Sequence, residues 1–187
     1  RGIPAVAVEM DAHLGWTNRI LSRLVDRVCL SFPIPGREWG KFVYTGRPLR
    51  PQLLTATREE GLDRFHLDPA VPVLVVFGGS LGARVLNDAV ISAFAGKEPD
   101  FQILHVTGKL DYERVAAAML PSTSRYQAFA YLDDFHLALA AADVAVSRAG
   151  GSVAELLALG VPAVLVPYPY ATADHQAKNA RTLQDGG

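Results

Sequence analysis

Residues 73–94 read VLVVFGGSLGARVLNDAVISAF. Val73 to Phe77 is a short apolar, β-branched run with no polar alternation, the pattern of a strand covered on both faces. From Arg84 onward the apolar residues fall at Val85, Leu86, Ala89, Val90 and Ala93, which is helical spacing. Between the two lies Gly78-Gly79-Ser80-Leu81-Gly82-Ala83, a glycine turn joining strand to helix.

The same alternation continues downstream. Strands are expected at Gln102–Thr107, Tyr126–Ala130, Val144–Ser147 and Ala163–Val166. Helices are expected at Leu110–Met119, Asp134–Ala141, Ser152–Leu159 and Asp174–Leu183, with Asp134 as an N-cap. Buried-type strands alternating with helices predict an α/β fold, a Rossmann-like doubly wound parallel sheet. Upstream, strands are expected at Ala5–Glu9, Arg27–Leu30 and Phe42–Tyr44, with a helix at Thr17–Leu24. The stiff connection Thr45-Gly46-Arg47-Pro48-Leu49-Arg50-Pro51 places a domain boundary there, between residues 1–50 and 51–187. The opening strand without a lead-in and the helix just before Gly187 lead to the expectation that the sequence continues in both directions.

Of the 187 residues, 50% are hydrophobic and 20% charged, with a formal net charge of -1. That balance builds a globular core and gives no reason to expect a nucleic-acid partner. Cys29 is the single cysteine, so no disulfide can form within the chain, in keeping with a reducing, cytosolic setting.

Three stretches carry candidate chemistry. In doubly wound sheets ligands bind at the carboxyl ends of the strands. The Gly78–Ala83 turn stands at such an end, where glycines allow close backbone approach and the N–H groups of the following helix favour an anion such as phosphate. Ser80 can donate to the same oxygen; the plain alternative is a tight turn with a Ser cap. Ser147-Arg148-Ala149-Gly150-Gly151-Ser152-Val153-Ala154-Glu155 repeats that logic. Here Ser152 and Glu155 have the spacing of a capping box, which spacing alone favours over a role for Glu155 on ribose hydroxyls. Tyr168 to Ala180 follows the last strand and sets polar residues at a helix start, where sugar hydroxyls could bind. Asp133-Asp134 read as caps, and no spaced acidic pair or His/Cys cluster calls for a metal.

Read together, Gly78–Asn87 (GGSLGARVLN), Ser147–Gly160 (SRAGGSVAELLALG) and Pro167–Ala180 (PYPYATADHQAKNA) resemble the MurG family, as do Thr45–Arg50 (TGRPLR) and Gly15–Arg19 (GWTNR). These bacterial enzymes transfer N-acetylglucosamine from UDP-GlcNAc to lipid I, forming lipid II for peptidoglycan. The resemblance runs in order along nearly the whole chain. It implies a GT-B fold, two Rossmann-like domains facing across a cleft, with the chain a fragment lacking the N-terminal region and the C-terminal end: residues 1–50 would be the C-terminal part of the acceptor domain with its linker, and 51–187 the UDP-sugar donor domain, incomplete at its C-terminus. It implies an inverting, UDP-GlcNAc-dependent hexosyltransferase using no cofactor, a fragment alone being inactive. Its partners would be UDP-GlcNAc, an undecaprenyl-linked lipid acceptor and the inner face of the bacterial cell membrane, where the full-length protein would be cytoplasmic and peripheral.

For the site, the resemblance implies a donor set of Arg50, Gly79, Ser80, Gly82, Asn87, Leu132, Gly151, Ser152, Val153, Glu155, His175 and Gln176. Ser80 would contact the diphosphate, Arg50 reach the nucleotide and Leu132 hold the uracil through its backbone. Gly151, Ser152 and Val153 would line the phosphate and ribose, with Glu155 on the ribose. Gln176 would bond the sugar hydroxyls with His175 close by. Asp11 is the candidate catalytic base within the chain, and the principal base is expected in the missing N-terminal region. Family members commonly have His-Glu-Gln-Asn where this chain has Val8-Glu9-Met10-Asp11, and the Arg148–Glu155 loop is one residue shorter than usual. The alternatives are a MurG-like transferase with another acceptor, a non-catalytic UDP-sugar-binding subunit needing a partner chain, and a UDP-sugar epimerase on the same fold.

Overall fold

A computed structural model of the chain describes residues 2–37, 39–120, 124–170 and 175–186, with the backbone alone at 175 and 186. In chain order the elements are β1 (Val6–Glu9), α1 (Trp16–Leu21), β2 (Arg27–Leu30), β3 (Phe42–Tyr44), α2 (Pro51–Thr55) and α3 (Arg58–Phe65). There follow β4 (Val73–Phe77), α4 (Arg84–Phe94), β5 (Gln102–Val106), α5 (Tyr112–Ala118) and β6 (Tyr126–Phe129). The chain closes with α6 (Phe135–Ala141), β7 (Val144–Ser147), α7 (Val153–Leu159), β8 (Ala163–Leu165) and α8 (His175–Gly186). Two compact units emerge, one of residues 1–48 with 167–187 and the other Leu49–Val166. The second unit thus stops before the stretch from residue 167 onward, which the sequence reading had carried into the second domain.

The second unit holds a five-stranded sheet in the order β6-β5-β4-β7-β8, with every pairing parallel. The chain runs outward from β4 through β5 to β6, then returns to β7 on the other side of β4. The direction of winding therefore reverses between β4 and β7. Successive side chains of each strand face opposite ways. Val73, Val75, Phe77, Leu104 and Ala145 pack with Leu53, Phe65, Ala138, Leu139 and Leu156 from α2, α3, α6 and α7. Val76 and Ile103 pack on the other face with Leu86 and Val90 of α4 and Val115 of α5. Both faces are covered, as the apolar strand runs predicted.

Two helices absent from the sequence reading, α2 and α3, precede β4. α3 opens with a complete capping box: the Glu60 N–H donates to Thr57 Oγ1 and the Thr57 N–H to Glu60 Oε2. Gly61 lets α3 lie against α6, since a Cβ there would run into the Leu137 carbonyl and the Ala141 side chain. The capping box expected at Ser152 and Glu155 does not form. Ser152 has helical dihedrals (φ -69°, ψ -9°) and its side chain makes no cap bond; a capping side chain needs an extended backbone to turn back on the helix N–H groups. Asp134 does stand at the start of α6, yet its side chain caps nothing and pairs with the Arg64 guanidinium of α3.

The first unit contains the parallel sheet β1-β2-β3, with Ala7, Val28 and Leu30 at its core. At the carboxyl end of β1 the buried Glu9 accepts from the Asp11 and Gly15 N–H groups and from Asn18 Nδ2.

Candidate functional site

The crevice where winding reverses is the expected ligand position in a doubly wound sheet, and a pocket enclosing about 520 Å³ of space open to solvent lies there. One wall comes from the turn after β4. Its Gly82 N–H bonds back to the Gly79 carbonyl at 2.9 Å. Gly79 adopts φ +89°, which L side chains rarely take up, and the space in front of it is open. Gly79 and Ser80 therefore present backbone and hydroxyl to the pocket. The following α4 has no side-chain cap and no acidic residue in its first turn, so its positive end is left for an anion.

Another wall is apolar. Phe77, Val106, Leu132 and Phe135 line it, with the rings of Phe77 and Phe135 edge to face at 4.8 Å between centroids. Tyr131 lies beside Leu132, and the Lys109 ammonium sits 5.2 Å from its ring centroid. Ser152 and Glu155 complete the lining from the β7 side, and Arg50 from the start of the unit. The Arg50 guanidinium is 4.0 Å from the Glu155 carboxylate, with side-chain exposures of 63% and 19%. So loose and exposed a pair contributes little to stability, which leaves both groups available to a ligand.

Of the residues expected at the donor site, the structure thus brings Arg50, Gly79, Ser80, Leu132, Ser152 and Glu155 around one pocket. Val153 is buried, its side chain turned into the core, and Gly151 is half-buried at the start of α7. Gly82 packs against Thr107 and Gly108 instead of lining the pocket. Asn87 is also interior, its amide bonded to Thr107, Asp111 and His105. Asp11, His175 and Gln176 belong to the first unit. Asp11 Oδ1 accepts from Asn179 Nδ2 at 3.1 Å, and Gln176 Oε1 accepts from the Tyr168 N–H at 2.9 Å. The side chain of His175 lies outside the described residues, as do residues 171–174. Sequence reasoning passed over Tyr131, Phe135, Phe77 and Val106. Their signal was position alone: Phe77 and Val106 end β4 and β5, Tyr131 lies in the turn after β6, and Phe135 opens α6. Among the described residues no cluster of three or more His, Cys, Asp or Glu could hold a metal ion.

Behind the pocket runs a buried polar chain. Asn87 Nδ2 donates to the Thr107 carbonyl at 3.0 Å and to Asp111 Oδ2 at 2.7 Å. Both are acceptors only, so Asn87 Oδ1 must face His105 Nε2, 3.0 Å away, and that nitrogen must carry the proton. Nδ1 is then an acceptor for the Tyr126 hydroxyl at 2.9 Å. Burial pushes the His105 pKa down from 6.5 to about 4, with Asp111 opposing the shift, so the imidazole is neutral at pH 7. Asp111 is held down to about 2, chiefly by hydrogen bonds from Arg114.

Residues 73–187 match the glycosyltransferase family 28 C-terminal domain. The chain belongs to glycosyltransferase family 28. Within this family it is 40% identical over 199 positions to the UDP-N-acetylglucosamine--N-acetylmuramyl-(pentapeptide) pyrophosphoryl-undecaprenol N-acetylglucosamine transferase of Desulforamulus reducens, covering 100% of this chain and 54% of that protein. The enzyme of the same name from Moorella thermoacetica is 40% identical over 200 positions, with the same coverage of each. The chain spans about half the length of the curated relatives it matches. Among solved structures, Acinetobacter baumannii MurG superposes with a TM-score of 0.72 at 32% identity, over 98% of this chain and 51% of that one. The calicheamicin glycosyltransferase CalG4, at 18% identity and a TM-score of 0.62 over 97% of this chain and 54% of its own, shares the fold. The resemblance to the MurG enzymes read from the motifs is therefore borne out, as is the Rossmann-like parallel sheet of a family 28 glycosyltransferase.

Proposed function

We propose that this chain carries the UDP-sugar-binding half of an inverting transferase that moves N-acetylglucosamine from UDP-GlcNAc to an undecaprenyl-linked acceptor, lipid I, giving lipid II. The observation that carries the reading is the convergence of Gly79, Ser80 and Glu155 with the Tyr131–Leu132 wall in one pocket at the winding reversal. A nucleoside diphosphate has matching parts: a flat base for the apolar wall, ribose hydroxyls for the Glu155 carboxylate, and a diphosphate for the Ser80 hydroxyl and the N–H groups opening α4. The names of the relatives supply the sugar and the acceptor.

In this reading an acceptor hydroxyl attacks the anomeric carbon as the bond from that carbon to the UDP oxygen breaks. The electron pair leaves with the diphosphate, whose growing negative charge is met by the preorganised N–H dipoles at Gly79, Ser80 and α4. No step of this reading calls for a metal ion. The hydroxyl proton passes to a base on the acceptor side, and Asp11, held by Asn179, is the candidate in this chain. No described helix is long and apolar enough to cross a membrane; in this reading the whole enzyme works peripherally at the cytoplasmic face, where its lipid acceptor is anchored.

Calorimetric titration with UDP-GlcNAc, with UDP-glucose as competitor and Ser80→Ala and Glu155→Ala alongside, tests the donor assignment. Saturable binding that prefers UDP-GlcNAc and weakens in both variants is expected. Equal binding by the variants and the parent chain would sink it. A second reading, transfer to a different acceptor, is favoured by one observation: Val8-Glu9-Met10-Asp11 stands where family members commonly have His-Glu-Gln-Asn. Turnover of lipid I by the full-length enzyme would dismiss it.

A further inference from the structure

The buried chain behind the pocket has no contact with the pocket itself, yet it holds the wall on which the diphosphate would rest. The β4–α4 turn lies backbone to backbone on the β5–α5 turn. A Cβ on Gly82 would run into the Thr107 carbonyl oxygen and stand 2.9 Å from its carbon; one on Gly108 would stand 2.5 Å from Gly82 Cα. Both glycines have positive φ, +79° and +85°. The Thr107 carbonyl that Gly82 rests on is also the acceptor for Asn87, one turn into α4. A single peptide group thus fixes the turn and the first turn of the helix at once. Asp111 anchors the same amide a second time. His105 and Tyr126 decide which way the amide faces, because only Nε2–H of His105 can satisfy Asn87 Oδ1 while the amide nitrogen serves Thr107 and Asp111.

A histidine wholly buried in an interior strand, between Leu104 and Val106, is costly unless its polar atoms are used. Here both nitrogens are used, and what they accomplish is the orientation of Asn87. We infer that Asn87, oriented by His105 and Tyr126, is a positioning residue for donor binding: it sets the Gly79–Ser80 turn against β5 at the spacing the diphosphate requires, without touching the donor. This inference rests on the proposed donor site. It makes a distinction that a direct contact or a general loosening of the fold would not. Affinity should fall for ligands that carry the diphosphate and stay the same for the nucleoside, which meets the Tyr131–Leu132 wall instead.

The test is UDP binding by calorimetry and uridine binding by NMR shift titration, on the parent chain, Asn87→Ala and Asp111→Ala. Asn87→Ala is expected to weaken UDP binding about tenfold, the equivalent of one lost hydrogen bond of roughly 1.4 kcal/mol, with uridine binding within about twofold of the parent. Asp111→Ala, a partly exposed site that leaves the core intact, is expected to weaken UDP binding less and in the same sense. UDP affinity unchanged in folded Asn87→Ala overturns the inference, as does equal weakening of UDP and uridine. Should Asn87→Ala not fold, Asp111→Ala decides alone, and an unchanged UDP affinity there overturns it. A parent chain that binds no UDP instead removes the donor site and this inference with it, an outcome distinct from a parent that binds UDP and variants that bind it equally well.

Discussion

Lowering the pH protonates His105 in the unfolded chain well before it does so in the folded one. The ordinary pKa is 6.5 and the folded value about 4. Because the folded value is depressed, the unfolded state binds more protons throughout that interval, and stability must fall as pH falls. Above about pH 6.5 the residue makes no pH-dependent contribution. Between 6.5 and 4 the loss accumulates at about 1.4 kcal/mol per unit, reaching ~3 kcal/mol. Below about 4 both states are protonated and the term stops growing. Urea unfolding of the parent chain and of His105→Gln at a series of pH values between 7.5 and 4 isolates it. The parent should lose about 3 kcal/mol more than the variant across the interval. NMR of the His105 ring should show the Nε2–H tautomer at pH 7 and no titration above pH 5. A ring that titrates near 6.5, or equal pH dependence in the two proteins, would refute both the buried network and the tautomer assigned to it.

Gly82→Ala combines a left-handed backbone with overlap on the Thr107 carbonyl, so a loss of about 2–4 kcal/mol is expected in thermal or urea unfolding. The two candidate caps should behave differently. Thr57→Ala removes a formed capping box and should cost about 1 kcal/mol, whereas Ser152→Ala removes no cap bond and should stay within about 0.5 kcal/mol of the parent.

Much of the site was legible because it is local. Gly78–Ser80 is a turn between a strand and a helix, and its residue types announce both the bend and the open N–H groups. Ser152 and Glu155 were legible for a similar reason, though spacing pointed to a cap that the backbone of Ser152 does not allow. The box that does form, Thr57 with Glu60, has the same spacing. What separates the two stretches as caps is the backbone of the first residue, extended at Thr57 and helical at Ser152, and the shared spacing does not reveal it. Tyr131 and Phe135 are ordinary apolar residues in sequence and become pocket walls only because β6 lies on the same edge of the crevice as β5 and β4.

The alternation of apolar strand runs with helical spacing was enough to determine a parallel, two-faced sheet, since only that arrangement buries strands lacking a polar face. It was also enough to place glycine turns at the carboxyl ends of strands, and the motifs named the family. Strand order was not in the sequence: that β7 returns beside β4, making a crevice between two distant loops, is a pairing choice made by the whole sheet. The role of Asn87 was equally invisible. In the sequence it is a polar residue near a glycine turn, read as a ligand contact. In the fold its partners Thr107, Asp111 and His105 come from another strand and loop. Burial in a low-dielectric interior then requires every one of its polar atoms to be spent on the protein itself.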